Sequence, residues 1–198
     1  QVVGFRENLV LLMALDSVHL IHPGCKVSSQ RNNNYVPSGP ALLGRIIDGM
    51  GRPIDGKGPL LAPRREGFYA EPPNPLSRAM ISEPFGTGIK SIDTFIPLGV
   101  GQRVGIFSGS GVGKSILLGM ISKGADSDVN VISLVGERGR ELREFVEKDL
   151  GPEGMKKTVI VVSTSDQPAP MRIRASILAT AIAEGFRDEG SKVLLLMD

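Results

Sequence analysis

Several things are scarce in this sequence. Across 198 residues it has one cysteine, Cys25, so no disulfide can form within the chain and no thiol-based metal set can be drawn. A small buried or half-buried place is the expected role of such a residue. No apolar stretch reaches the 18 residues that read as a membrane span, and no leader of basic, apolar and small residues opens the chain. A soluble chain is expected, and the sparing use of cysteine points to the cytoplasm. Charge of one sign is also missing. Lys and Arg number 23 against 21 Asp and Glu, net +2, with no long run of either, so nothing calls for nucleic acid or an acidic membrane surface. His19 and His22 are three apart and would suit a shared metal, but that reading is weak without a set third ligand.

Glycine, at 25 residues, is plentiful, and its placement is most informative at residues 108 to 115, SGSGVGKS. The pattern GxxxxGK[ST] lets the backbone fold back so that successive N–H groups face a phosphate at a helix N-terminus. Gly109, Gly111 and Gly113 supply the freedom, Lys114 a mobile positive charge, and Ser115 a hydroxyl for Mg²⁺. Ser108 stands where the strict pattern has its first glycine; Ser110 and Val112 complete the loop. The apolar run RVGIF, 103–107, reads as a strand entering this loop, and ILLGMISKG as the helix leaving it, to about Gly124.

Before the loop, VVGF and NLVLLMAL read as short strands of a small β-domain, followed by a turn around HPGCK. SQRNNNYVPSGP is a polar loop, and ALLGRIID, 41–48, is strand-like ahead of a turn-rich GMGRPIDGKGPL. Between residues 61 and 78, Pro63, Pro72, Pro73 and Pro75 forbid a regular helix or central strand, so the segment links domains or wraps over one. After a short helix near 91–95, three more buried strands follow: VNVISLV (129–135), KTVIVVS (157–163) and KVLLLMD (192–198). Between them lie a charged amphipathic helix, 136–151, closed by Gly151, and a second helix, 171–189, with apolar positions at Ile173, Ile177, Leu178, Ala181, Ile182 and Phe186, closed by Gly190.

Strands alternating with helices predict an α/β fold with a mostly parallel sheet covered on both faces, whose ligands bind at the carboxyl ends of its strands. The phosphate loop, 136–140, 164–170 and Asp198 all fall at such ends. The expected divisions are the remnant of a small N-terminal β-domain at 1–30, a connecting strand and Pro/Gly-rich segment at 31–82, and a phosphate-loop domain at 83–198. Both termini interrupt strand-like runs, so the chain is expected to be a piece of a longer one lacking its C-terminal part.

Hydrolysis of a nucleoside triphosphate needs phosphate charge neutralised, a metal held and a water oriented. Lys114 and the loop amides suit the first need, Ser115 and Asp198 the second. Glu137, directly after VISLV, is placed for the third, or else is an acidic residue opening a helix whose dipole favours it; spacing leaves the two open. Arg138 and Arg140 divide the same way between phosphate contact and solvated helix start.

SGSGVGKS, GERGRELREF, LLGRIIDGMGRPIDGKGPL, EPFGTGIKSID and TAIAEGFRDEGSKVLLLMD together resemble the flagellar export ATPases. These group with the injectisome type III secretion ATPases and are similar to the catalytic subunits of rotary F-type and V-type ATPases. The resemblance runs from Leu42 to the end of the chain and implies a RecA-like P-loop core acting as a Mg²⁺-dependent ATP hydrolase. A noncatalytic rotary subunit would lack the acid at Glu137, so the resemblance implies that Glu137 is the general base. It further implies that Arg138 contacts the γ-phosphate, that Glu141 supports the metal's water shell, and that Asp198 is the second-motif aspartate. An adenine-stacking aromatic and a trans-acting arginine are expected beyond residue 198. The implied assembly is a homohexamer working beside the inner-membrane export apparatus. Its implied partners are a stator-like regulator, a central stalk protein, export chaperone–substrate complexes and the membrane export gate. Flagellar export is the main expectation; virulence secretion, a rotary ATP synthase catalytic subunit and a nucleotide-binding assembly subunit are the alternatives.

Overall fold

The computed structural model describes residues 1–16, 18–19, 21–28, 35–109 and 111–198, the side chains of Arg64 and Glu66 excepted. The chain opens with an antiparallel hairpin, β1 (Val2–Arg6) and β2 (Leu9–Leu12). The short strands expected from the apolar runs are present, but their large apolar side chains are exposed. Cys25 is exposed too, against expectation. It closes a surface turn in which its N–H donates to the His22 carbonyl (3.1 Å), so its place is set by the turn and not by a core.

Next come β3 (Tyr35–Pro37), a single 3₁₀ turn (Pro40–Leu42), β4 (Ile46–Asp48) and β5 (Arg64–Glu66), then a second 3₁₀ turn at Pro75–Ser77. β6 (Pro84–Phe85) and β7 (Leu98–Gly99) pair around α1 (Lys90–Phe95), and α2 (Lys114–Gly124) follows the glycine-rich loop. The remainder is β8 (Val129–Val135), α3 (Gly139–Glu144), a π-helical segment (Phe145–Leu150), α4 (Gly151–Met155), β9 (Thr158–Ser163), α5 (Ala169–Asp188) and β10 (Val193–Met197).

The organising element is a parallel sheet in the order β10-β8-β9-β4, with Val193 opposite Val129, Asn130 opposite Thr158 and Ile46 opposite Ile160. Strand periodicity divides the side chains between two cores. Val129, Val131, Val159 and Val161 pack with Ala175, Leu178, Ala179, Ile182 and Phe186 of α5 on one face. Ile132, Leu134, Ile160 and Val162 pack with Leu118 of α2 and with Phe145 and Leu150 on the other. Each fully buried aliphatic side chain contributes roughly 1.5–3 kcal/mol, so the continuous apolar runs are what hold the sheet between its layers. Because β9 and β10 flank β8, α5 must cross it to connect them.

A polar network closes the edge of the sheet away from the strands' carboxyl ends. Asn130 Nδ2 donates to the Ser122 carbonyl (2.7 Å) and to Thr158 Oγ1 (3.3 Å), Ser127 Oγ donates to Asn130 Oδ1 (2.7 Å), and Thr158 Oγ1 donates to the Gly154 carbonyl (2.7 Å). Asn130, Ser122 and Thr158, all buried, are thereby paired, and α2, β8 and β9 are tied at one end.

The segment expected to link or wrap does wrap. β3 and β5 pair over α5, Arg65 donates to the Ala181 carbonyl, Phe68 is buried, and the Arg174 guanidinium lies 4.1 Å from the Phe68 ring centre. The region expected to connect domains also supplies β4 to the sheet, and Val36, Leu42, Ile47 and Phe68 to its core.

Three expectations are corrected. Residues 103–107 form no strand, and Val104, Ile106 and Phe107 are exposed, Phe107 at 96%. A strand exists through a hydrogen-bonded neighbour, and among the described residues none pairs with this run. ALLGRIID is strand only at Ile46–Asp48, its first residues turning around Pro40. The charged stretch is not one regular helix from 136: it is helical only from Gly139 and loosens to π-helical spacing at Phe145, which seats Phe145 and Leu150 in the core. It closes, as expected, at Gly151, whose φ of +65° takes the chain out of helical geometry, and α4 starts afresh there with proline in its first turn. Gly190, at φ +93°, likewise ends α5: its N–H donates to the Arg187 carbonyl (2.9 Å) and that of Ser191 to the Phe186 carbonyl (3.0 Å).

Candidate functional site

The loop reaches α2 through two glycines in left-handed conformations, Gly111 (φ +77°) and Gly113 (φ +97°), the latter at the N-cap. No side chain caps this helix, and its first internal bond runs from Leu117 N–H to the Gly113 carbonyl (2.9 Å). The N–H groups of Lys114, Ser115 and Ile116 therefore lie before the ladder begins, where the helix dipole favours an anion. Ser108, Gly109, Gly111, Val112 and Ser115 are exposed along this entry, and the expected contribution of Ser110 lies outside the described residues.

The Lys114 ammonium makes an ion pair with the Asp198 carboxylate across 84 positions of sequence. Asp198 follows β10 and is pinned to β8: its N–H donates to the Ser133 carbonyl (2.9 Å) and its own carbonyl accepts from Val135 N–H (2.7 Å). The pair is partly enclosed, the lysine side chain 35% exposed and the aspartate 11%. The hydrogen bond that Lys114 donates to Asp198 raises the Lys114 pKa against the opposing effect of burial, with Glu137 adding attraction.

Glu137 sits one turn of chain beyond β8, on a backbone held by two hydrogen bonds. Gly136 N–H donates to the Ser163 carbonyl (2.8 Å), and Ser165 N–H donates to the Glu137 carbonyl (3.1 Å). The loop after β9 thus fixes the position of the residue after β8. The Glu137 carboxyl is hydrogen-bonded to Glu141, and this bond, burial and the charge on Asp198 raise its pKa, while Lys114 opposes. Glu141 moves the opposite way, lowered by the contact with Glu137 and by Arg138.

Four of the expected residues are thereby gathered: Lys114, Asp198, Glu137 and Glu141. Arg138 is less committed. It occupies the N-cap of α3 with its side chain 67% exposed, 3.6 Å from Glu141, and Arg140 is exposed beyond it. A cleft of about 530 Å³ lies elsewhere, between Met13–Asp16 and Asp166–Pro168, and contains none of these groups. The Ser165 tie carries no signature because it is made by backbone alone. The Glu137–Glu141 bond had one available signal, the four-residue spacing at a helix start.

Among the described residues, no cluster of three or more His, Cys, Asp or Glu side chains could hold a metal ion unaided. The donors at hand are a serine hydroxyl and carboxylates. Such hard oxygens, in small number, suit Mg²⁺, which completes its shell with water and substrate phosphates.

The model for the nucleotide-binding domain of the ATP synthase alpha/beta family matches residues 88–198. The chain belongs to the ATP synthase alpha/beta family. Within it, this chain is 52% identical over 200 residues to the flagellum-specific ATP synthase of Bacillus subtilis, covering 100% of this chain and 45% of that protein. It is 49% identical over 198 residues to the SPI-2 type 3 secretion system ATPase of Salmonella typhimurium, again over 100% of this chain and 46% of the other. The assembled ATPase EscN of the enteropathogenic E. coli type III secretion system superposes with a TM-score of 0.90 at 47% identity, over 100% of this chain and 48% of that one. A second structure holds EscN with its central stalk EscO, with a TM-score of 0.89 at 48% identity. The chain thus spans a little under half the length of these family members. Membership agrees with the parallel α/β sheet, and among the described residues no helix is long and apolar enough to cross a membrane.

Proposed function

We propose that the full-length protein hydrolyses ATP to energise export of flagellar proteins through a type III apparatus. The observation that carries this is the convergence of Lys114, Asp198 and Glu137 at the carboxyl ends of parallel strands, in a chain 52% identical to a flagellum-specific ATP synthase. In this reading a RecA-like core, preceded by part of a β-barrel domain, works in a homohexameric ring. Its export partners are a stator-like regulator, a central stalk protein, chaperone–substrate complexes and a membrane gate. EscN supports the oligomer and the stalk by analogy, since it is known assembled and with EscO. The adenine contact and an arginine from a neighbouring subunit would come from chain beyond residue 198, and the protein would work at the cytoplasmic face of the membrane.

The roles follow from position. Lys114 and the N–H groups of the loop and α2 bind the β- and γ-phosphates. Ser115 and Asp198 would hold Mg²⁺, which supplies Lewis-acid polarisation of the phosphate oxygens. Glu137, once ionised, accepts a hydrogen bond from the attacking water and takes its proton as the water oxygen bonds to phosphorus and ADP leaves. Glu141 holds Glu137 in orientation and supports the metal's water shell. Arg138 reaches the γ-phosphate by leaving Glu141.

The test is Glu137→Gln in the full-length protein. Turnover should fall by about 10²-fold or more, while Mg·ATP affinity stays within a few-fold. Unchanged turnover removes Glu137 from its role. The 49% identity to a virulence secretion ATPase favours a second reading, secretion through an injectisome, with the same site. Deleting the gene separates the two: loss of motility supports flagellar export, and intact motility with lost effector secretion supports the other.

A further inference from the structure

The Lys114–Asp198 ion pair joins the two side chains that a metal–nucleotide complex wants separately: the ammonium for phosphate, the carboxylate for the metal. Neither partner is free to swing aside without breaking the contact. Asp198 is anchored on both backbone groups to β8, and Lys114 is the first residue of α2. Around them the charges do not favour bare polyphosphate. Asp198, Glu137 and Glu141 stand against Lys114 and Arg138, and the arginine is already paired with Glu141.

We propose, resting on the nucleotide-binding reading above, that this ion pair is an internal lock that makes metal and phosphate bind cooperatively. Phosphate that captures Lys114 releases Asp198 for the metal, and metal that captures Asp198 releases Lys114 for phosphate. Either ligand alone must break the pair unaided. Both together break it once and use both halves. Thermodynamic linkage requires the coupling to be reciprocal, so the effect is readable from either ligand. The lock disfavours nucleotide without metal, a complex that would fill the site and not turn over.

The experiment is equilibrium binding in the full-length protein, with no dependence on turnover. Calorimetric titration of ADP in excess EDTA is compared for the unsubstituted protein, Asp198→Asn and Glu137→Gln. The lock predicts that Asp198→Asn tightens metal-free ADP roughly fivefold, the range of a partly exposed ion pair. Glu137→Gln removes a nearby negative charge without touching the contact, and should change it much less. No gain in Asp198→Asn, or an equal gain in Glu137→Gln, overturns the proposal, the latter by showing that the general field and not the pair is responsible. The reciprocal arm uses Mn²⁺ alone, followed by electron paramagnetic resonance. Lys114→Ala should bind the ion more tightly than the unsubstituted protein, and unchanged Mn²⁺ affinity overturns the lock. Mg·ADP binding by the unsubstituted protein is the control for the parent reading. Its absence rejects the nucleotide site itself, whereas its presence with no variant effect rejects only the lock.

Discussion

The Glu137 carboxyl meets that of Glu141, four residues along and within the first turn of α3, and the contact pushes the Glu137 pKa up and the Glu141 pKa down. The nearby Arg138 guanidinium, 3.6 Å from Glu141, steadies the negative charge on the second carboxylate. In the proposed role Glu137 must be ionised to accept a proton from water, so its raised pKa links that role to pH.

The acid limb of kcat is therefore expected above the ordinary glutamate range, which centres near about 4.3. Glu141→Gln removes the carboxylate that raises the Glu137 pKa, and the limb should move to lower pH as Glu137 ionises more readily. The sign for stability is opposite. A carboxyl whose folded pKa is raised adds stability that is complete below its unfolded value and lost as pH rises through the folded one. Rate profiles of the two proteins check this, and coincident acid limbs would count against the influence of Glu141 on Glu137.

Lys114→Ala should act on binding before chemistry. Loss of a charge-assisted phosphate contact costs about 1.5–3 kcal/mol, or roughly a 10- to 100-fold weaker Mg·ATP affinity. The fold should survive, because the side chain lies at the surface of the site and not in either core. Titration calorimetry reads the first effect and thermal melting the second; equal ATP affinity would remove the lysine from the phosphate site.

Gly88 lies against the end of α2, where an added Cβ would come within 2.6 Å of the Gly124 carbonyl oxygen, and its φ of +76° disfavours any other residue. Asp93 holds it there, accepting from the N–H groups of Thr87 (2.9 Å) and Gly88 (3.1 Å). Gly88→Ala should cost roughly 2–4 kcal/mol from backbone strain and overpacking together. At Gly86 the same Cβ would meet only Asp126 Cβ at 3.7 Å, so Gly86→Ala should be close to neutral. Denaturant melts of the pair test whether the close approach sets the cost.

Asp55 is the centre of the turn that follows β4. It accepts from Arg45 Nε (2.7 Å) and Nη2 (3.1 Å) and from the N–H groups of Ile46 (3.1 Å) and Lys57 (3.0 Å), with its side chain 3% exposed. Burial pushes its pKa up, but these bonds prevail and hold it well below the usual carboxylate range. Its stabilisation is complete above the unfolded aspartate value, about 3.9, and is lost as pH falls through the lowered folded value. Asp55→Asn should lower Tm by several degrees at neutral pH, with the gap closing in acid. A gap that persists unchanged in acid would show that charge is not what Asp55 contributes.

The sequence by itself determined the elements whose cause is local. β8 and β9 follow the apolar runs 129–135 and 158–163, α2 begins at the Gly-Lys-Ser end of the loop, and α5 stops where Gly190 can adopt a left-handed turn. It also singled out Lys114 by the glycine-rich loop and Asp198 by its place after an apolar run, while spacing left Glu137 between a catalytic base and a helix-opening acid, and only the resemblance chose. Tertiary structure decided what depends on neighbours. The run 103–107 has strand composition but no paired strand, ALLGRIID keeps only the residues that find β9, and the helix after Arg138 loosens where Phe145 and Leu150 must both reach the core. The Lys114–Asp198 pair and the Ser165 tie to Glu137 belong to the same class. A charge contact across 84 residues and a backbone hydrogen bond between two loops leave no local pattern, since each exists only once the sheet has brought its carboxyl ends side by side.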